Sequence, residues 1–152
     1  MSDIVWNINT SNDRFDNVIN RMRAFAIEIL EPSGCVIHFK TSENLKAISL
    51  DMVKRKNLYM LFKEAINNVA KYAECQNVWI DIVLEKNKKL KLVIKDDGKG
   101  FSSTPTTDEK RDNQFGGNGF TNMQKRSKDL NGELKIISSI GKGTEIFLHF
   151  KY

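Results

Sequence analysis

The stretch Leu90-Lys91-Leu92-Val93-Ile94-Lys95-Asp96-Asp97-Gly98-Lys99-Gly100 decides how this chain folds. Its first seven residues alternate as a strand does, so Leu90, Leu92 and Ile94 share one face. Asp96 falls on that same apolar face, whereas Asp97 points the other way. A carboxylate on a core face is costly unless a partner meets it. The glycines that follow let another backbone or a ligand come close. The pattern predicts a pocket at the end of a strand. A carboxylate that merely caps an Asx-type turn before glycine is the competing explanation.

Working outward, Asn77–Glu85 reads as a second strand, joined to Lys89–Asp96 through a tight turn near Asn87. Upstream, a long helix is expected from about Asp51 to Ala73, with Leu58, Leu61, Phe62, Ala65, Ile66, Val69 and Ala73 on its apolar stripe. An earlier amphipathic helix spans about Asn12 to Leu30 and stops at Glu31-Pro32-Ser33-Gly34, before a short strand from Cys35 to Lys40. Downstream, residues 102–115 are polar and unpatterned, and a loop of that length in a compact domain is usually functional. Gly116-Gly117-Asn118-Gly119 then leads into a helix ending near Leu130-Asn131-Gly132. Glu133–Ser139 and Thr144–Lys151 form a final strand pair around Gly141-Lys142-Gly143. The predicted fold is α/β (α+β): a two-layer sandwich whose mixed, mostly antiparallel sheet of about five strands is covered on one face by three helices.

Composition limits the function classes. At 152 residues, 40% hydrophobic and 28% charged, the chain suits one soluble domain. It has no apolar run near the roughly 20 residues that span a bilayer, and no signal-peptide pattern follows Met1, so a cytosolic domain is expected. The net charge of +5 comes from scattered lysines; it suits a phosphate-bearing ligand or an acidic partner, and lacks the dense basic stripe of a nucleic-acid binder. Cys35 and Cys75 have no metal-site spacing and are expected to be reduced, partly buried thiols.

Helix phase and strand parity bring polar groups together. On the long helix, Glu64, Asn68 and Lys71 lie on a narrow band beside the apolar stripe, while Asn67 points roughly opposite. On this helix alone, a solvated Glu–Asn–Lys face with Glu64 pairing Lys71 across two turns is the simpler explanation of that band. In the last strand Thr144 shares parity with Ile146, Leu148 and Phe150. Asn68, Asp96 and Thr144 therefore approach one side from three elements. Gly117 and Gly119 precede a helix, whose free N–H groups favour an anion.

Four motifs in this order resemble a known family: Glu64-Ala65-Ile66-Asn67-Asn68-Val69-Ala70-Lys71-Tyr72, then Asp96-Asp97-Gly98-Lys99-Gly100-Phe101, then Gly117-Asn118-Gly119-Phe120-Thr121-Asn122-Met123, then Gly141-Lys142-Gly143-Thr144. The chain looks like the ATP-binding domain shared by gyrase, sensor histidine kinases and MutL, and within it like the histidine kinase catalytic domain. Trp6-Asn7-Ile8-Asn9-Thr10 resembles the linker after a dimerisation helix in kinases paired with helix-turn-helix response regulators; Thr10 stands where those kinases usually carry proline. The resemblance makes residues 1–10 a linker remnant, 11–152 the ATP-binding catalytic domain and 102–116 a mobile ATP lid.

The resemblance also implies site roles. Asn68 would hold Mg²⁺, a hard ion that takes oxygen ligands, against the ATP phosphates. Lys71 would meet a phosphate, Tyr72 would lie near the nucleotide, and Asp96 would accept a hydrogen bond from the adenine amine. Gly98 and Gly100 would admit the nucleotide. Gly117, Gly119 and Phe120 would close on its phosphates, and Gly143 and Thr144 would complete the adenine side. Glu64 would act as a base or help arrange the metal.

The family's phosphoacceptor is a histidine on a dimerisation helix beside an acid. This chain has only His38 and His149, both in strand patterns without an acidic sequence neighbour. The implied function is transfer of the γ-phosphoryl group of Mg·ATP to a histidine on a separate dimerisation domain, which would then serve a response regulator; the domain alone is not expected to autophosphorylate. A free-standing anti-sigma-factor-like serine kinase and a non-catalytic nucleotide-binding module are the alternatives.

Overall fold

The computed structural model describes residues 15–100 and 119–152, the side chains of Lys46, Ala47 and Tyr72 excepted. The elements are α1 (Phe15–Leu30), β1 (Val36–Thr41), α2 (Met52–Asn68), β2 (Asn77–Glu85), β3 (Lys89–Asp96), α3 (Gly119–Asp129), β4 (Glu133–Ser139) and β5 (Gly143–Lys151). The expected linker at residues 1–10, the lid at 102–116 and Gly117 lie outside the described residues.

The five strands form one sheet in the order β1-β2-β3-β5-β4. β1 and β2 are parallel and every other pair is antiparallel. The parallel pair needs a crossover, and α2 supplies it. α1 packs against α2, as does α3. The result is the expected two-layer α/β sandwich.

Alternation fixes the register, because a slip of one residue would turn every apolar side chain outward. Ile80, Ile94, Ile146 and Ile136 align across four strands, and Ile82, Leu92, Leu148 and Leu134 form the next row. Phe62, Leu58, Leu61 and Ile66 of α2 are fully buried, with Met22 and Leu30 of α1 and Met123 of α3. Full burial of each such side chain contributes roughly 1.5–3 kcal/mol.

The ends of the elements follow their sequence signals. Asp51 caps α2 by accepting from the Lys54 N–H at 2.8 Å. Pro32 sits in a 3-10 turn after α1, and Gly34 leaves it in the left-handed region at φ 81°. Asn87 and Lys88 take positive φ in the β2–β3 turn. One difference concerns the long helix. It is α-helical only to Asn68 and then widens into a π-helical turn, Val69–Ala73. Apolar phase cannot register that change, since Val69 and Ala73 remain buried.

Gly143, at the start of the interior strand β5, packs closely against the end of β3. Its φ is +79°, and a Cβ there would collide with the Asp96 carbonyl oxygen. Gly143→Ala is expected to cost roughly 1–3 kcal/mol, read as a lower urea midpoint with an unchanged slope; an unaltered midpoint would contradict this packing.

Candidate functional site

The strand register builds the site from the third row of the core face. Beyond the isoleucine row, Val78, Asp96, Thr144 and Ser138 align across β2, β3, β5 and β4. A row that would otherwise be apolar thus becomes polar on three strands. Asp96 is only 3% exposed. Its Oδ1 accepts from the Gly98 N–H at 2.9 Å. The turn-capping bond expected of an aspartate before glycine is therefore present, and it occupies a buried carboxylate. Burial pushes the Asp96 carboxyl upward; backbone hydrogen bonds from Gly98 and Thr144 oppose the rise and the nearby Asp97 charge adds to it. Ser138 Oγ lies 2.9 Å from Thr144 Oγ1 and 3.0 Å from the Gly143 carbonyl oxygen, to which it donates. Ser138 was readable from the same alternation, two residues beyond Ile136.

Asp97 points outward, as parity requires, and performs a different task. One oxygen accepts from the N–H groups of Gln76 and Asn77, each at 2.8 Å, and the other from the Asn77 side-chain amide at 2.9 Å. The Asn77 side chain and backbone, with Gln76, hold the Asp97 carboxyl low. Asn77 Oδ1 also meets His38 Nε2 at 3.1 Å. Neighbouring aspartates are thus divided, one buried among polar core groups and one fastening the start of β2 to the end of β3.

The end of α2 is tied to this turn through backbone. The Ala73 carbonyl accepts from Lys99 N–H at 2.7 Å. A Cβ on Gly98 would collide with that same carbonyl oxygen, so Gly98 is required by backbone packing before any ligand is considered. Gly100 has φ +63° and faces the Ser139 carbonyl. Asn68 stands at the last α-helical position, just before the π turn; it is buried, and its Nδ2 has no hydrogen-bond partner among the described residues. Glu64 is half-buried, Asn67 is half-buried rather than fully in water, and Lys71 is exposed. Tyr72 is part of the π turn. Gly119 opens α3 as its first residue, and Phe120 is 4% exposed in the core.

Both histidines lie in strands, as the sequence suggests. His149 nevertheless has an acidic neighbour in space, since its Nδ1 lies 3.0 Å from Glu85 Oε1. The pair links β5 to the end of β2, a proximity that linear sequence does not display. Among the described residues no helix is long and apolar enough to cross a membrane.

The fold is an open mixed sheet whose third core row carries Asp96, Thr144 and Ser138. The family model described as histidine kinase-, DNA gyrase B- and HSP90-like ATPase matches residues 53–152, and the chain belongs to that family. It is 30% identical over 128 residues to the sensor histidine kinase YdfH of Bacillus subtilis, covering 83% of this chain and 29% of the relative. It is 31% identical over 132 residues to the signal transduction histidine-protein kinase/phosphatase DegS of the same organism, covering 86% of this chain and 33% of DegS. The chain therefore spans about a third of the length of these relatives. In fold it is similar to the histidine kinase domain of the Erythrobacter litoralis blue-light activated histidine kinase, with a TM-score of 0.71 at 16% identity, covering 88% of this chain and 60% of that one.

The two aspartates should respond oppositely to neutralisation. Asp97 has a lowered folded pKa, so its stabilisation is present above its unfolded value near pH 4 and disappears as pH falls through the folded value. Asp97→Asn is expected to lower Tm at pH 7 and flatten the acid limb of stability. Asp96 has a raised folded pKa, so stability falls as pH rises from its unfolded value near pH 4 toward the folded value, and the full cost remains above it. Asp96→Asn is expected to raise the nucleotide-free Tm at pH 7. Shifts of the same sign in the two variants would contradict the division of roles.

Proposed function

We propose that this chain is the ATP-binding catalytic domain of a two-component sensor kinase, passing the γ-phosphoryl group of Mg·ATP to a histidine on a dimerisation domain. The observation that carries the reading is Asp96, a carboxylate retained at the polar end of an apolar core row. A buried acceptor of that kind suits a donor such as the exocyclic amine of adenine, which guanine lacks at the equivalent position. Thr144 and Ser138, in the same row, would complete the base-binding side.

Asn68 fits the proposed metal role by its chemistry. Its buried amide carries an oxygen and an NH₂ group that half a turn about the Cβ–Cγ bond exchanges, and the NH₂ end has no partner. An oxygen ligand there suits Mg²⁺. Among the described residues no three histidine, cysteine or acidic side chains gather as a metal cage. A single protein oxygen supplemented by nucleotide phosphates and water matches how Mg²⁺ is ordinarily held in kinases. The bound ion would supply neutralisation of phosphate charge. Lys71, exposed three residues after Asn68, would add a positive charge to the phosphates, and Glu64, one helical turn earlier, would act as a base or help arrange the metal.

The start of α3 at Gly119 would place free N–H groups toward phosphate. Gly117 and the lid would complete that side, while Tyr72 would border the nucleotide and Phe120 would anchor the start of α3 in the core. Phosphoryl transfer relies mainly on positioning and charge stabilisation, so no covalent residue on this chain is required. The YdfH and DegS relatives support a sensor kinase context; a response regulator as the downstream partner and the cytoplasm as the compartment belong to the same proposal.

Calorimetry should show Mg·ATP binding to the folded chain, and its absence at millimolar ATP would end this reading. With the histidine-bearing dimerisation domain supplied, Asn68→Ala should reduce Mg-dependent phosphoryl transfer about 100-fold or more. Wild-type transfer by that variant would remove Asn68 from the site.

A further inference from the structure

Cys35 and Cys75 are 40 positions apart, yet their sulfurs lie 2.7 Å from each other. The structure turns two scattered thiols into an adjacent, buried pair, each 8% exposed. The contact is built by the chain on both sides. Cys35 immediately precedes β1, Cys75 lies in the turn entering β2, and Val36 N–H donates to the Gln76 carbonyl at 2.8 Å. Cys35 Sγ also donates to the Cys75 carbonyl at 3.1 Å.

That turn packs against the Asp96 end of β3 and the turn after it, as far as Lys99. Glu74 holds it in the left-handed region at φ 52°, Ala73 receives Lys99, and Gln76 and Asn77 clasp Asp97. The Asp96 charge also reaches the Cys75 thiol, which burial, Cys35 and that charge together push up. No part of the proposed ATP chemistry uses either sulfur.

We propose that Cys35 and Cys75 are a dithiol modification site, converted by peroxide into a disulfide that locks the turn packed against the Asp96 end of β3 and tightens nucleotide binding. One thiol sulfur attacks a peroxide oxygen; the O–O bond breaks, and a sulfenic acid and one water form. The second sulfur then attacks the first, the S–O bond breaks, and a second water leaves with the remaining thiol proton. Two thiols lose two electrons and one hydrogen peroxide becomes two waters. Burial and the raised Cys75 thiol make the first step slow, since the thiolate is the nucleophile. The adjacency of the second thiol favours the disulfide over further oxidation.

The affinity effect rests on reading the Asp96 end as the nucleotide site. A crosslink between sulfurs already in contact holds the turn in place, so less order remains to be imposed when nucleotide binds. The folded chain should be treated with hydrogen peroxide, alkylated and mapped by mass spectrometry. The expected product is an intramolecular Cys35–Cys75 disulfide, reversed by dithiothreitol and missing from Cys35→Ser and Cys75→Ser. Hydrogen exchange at Gln76, Asn77 and Asp97 should slow on oxidation. Mg·ATP affinity should rise about fivefold, the low end of ordinary coupling.

Recovery of both thiols in alkylated form, or of sulfinic acid without the disulfide, would overturn the site. A disulfide with unchanged or weaker Mg·ATP affinity would overturn the coupling. If neither redox form binds Mg·ATP, the nucleotide reading and its coupling fail, while the mapping and exchange results still decide the disulfide.

Discussion

Placing a carboxylate in the core row of a sheet is the constraint around which this site is organised. Two isoleucine- and leucine-rich rows fill the space beneath the helices, and the next row contains Asp96, Thr144 and Ser138. Burial opposes the Asp96 charge, while the Gly98 and Thr144 backbone supports it. The support depends on tight backbone approaches: Gly98 against Ala73, and Gly143 against Asp96 itself. Side chains at those glycines would disturb the carboxylate through its scaffold. A stability cost concentrated at one residue is what a functional carboxylate is expected to show.

The elements are joined at the same place. The π turn after Asn68 brings Ala73 to Lys99, and Asp97 fastens β3 to β2. π-helical turns are uncommon and often occur at functional sites. Here the turn separates Asn68, buried on the last regular α-helical position, from the Ala73 carbonyl. Arg126 of α3 hydrogen-bonds Asn57 of α2 at 3.1 Å, linking the helix that begins at Gly119 to the helix that carries Asn68. The proposed base, metal and phosphate sides thus rest on elements that contact one another directly.

Much of this was legible in the chain itself. Alternation in β3 distinguished Asp96 from Asp97, and helical phase singled out Asn68 from Asn67, because both signals depend on a regular period. The β2–β3 hairpin was clear from its paired strand patterns and the turn at Asn87. The π turn was not, since the apolar stripe continues through it. The Cys35–Cys75 contact and the His149–Glu85 pair were hidden because each depends on strand order and register, which linear spacing does not encode. Gly98 was read as admitting the nucleotide and Gly143 as completing its adenine side; the structure shows that backbone already claims the space of their missing side chains.

The central claim is that Asp96 reads the adenine amine, and a mutant–ligand cycle tests it most directly. Affinities for Mg·ATP and for a purine nucleotide lacking only the 6-amino group would be measured on the native chain and on Asp96→Asn. The native chain should prefer ATP by roughly 10- to 100-fold, the worth of a hydrogen bond to a charged group, and the variant should lose most of that preference. Equal discrimination by both proteins would place base recognition elsewhere and contradict the account.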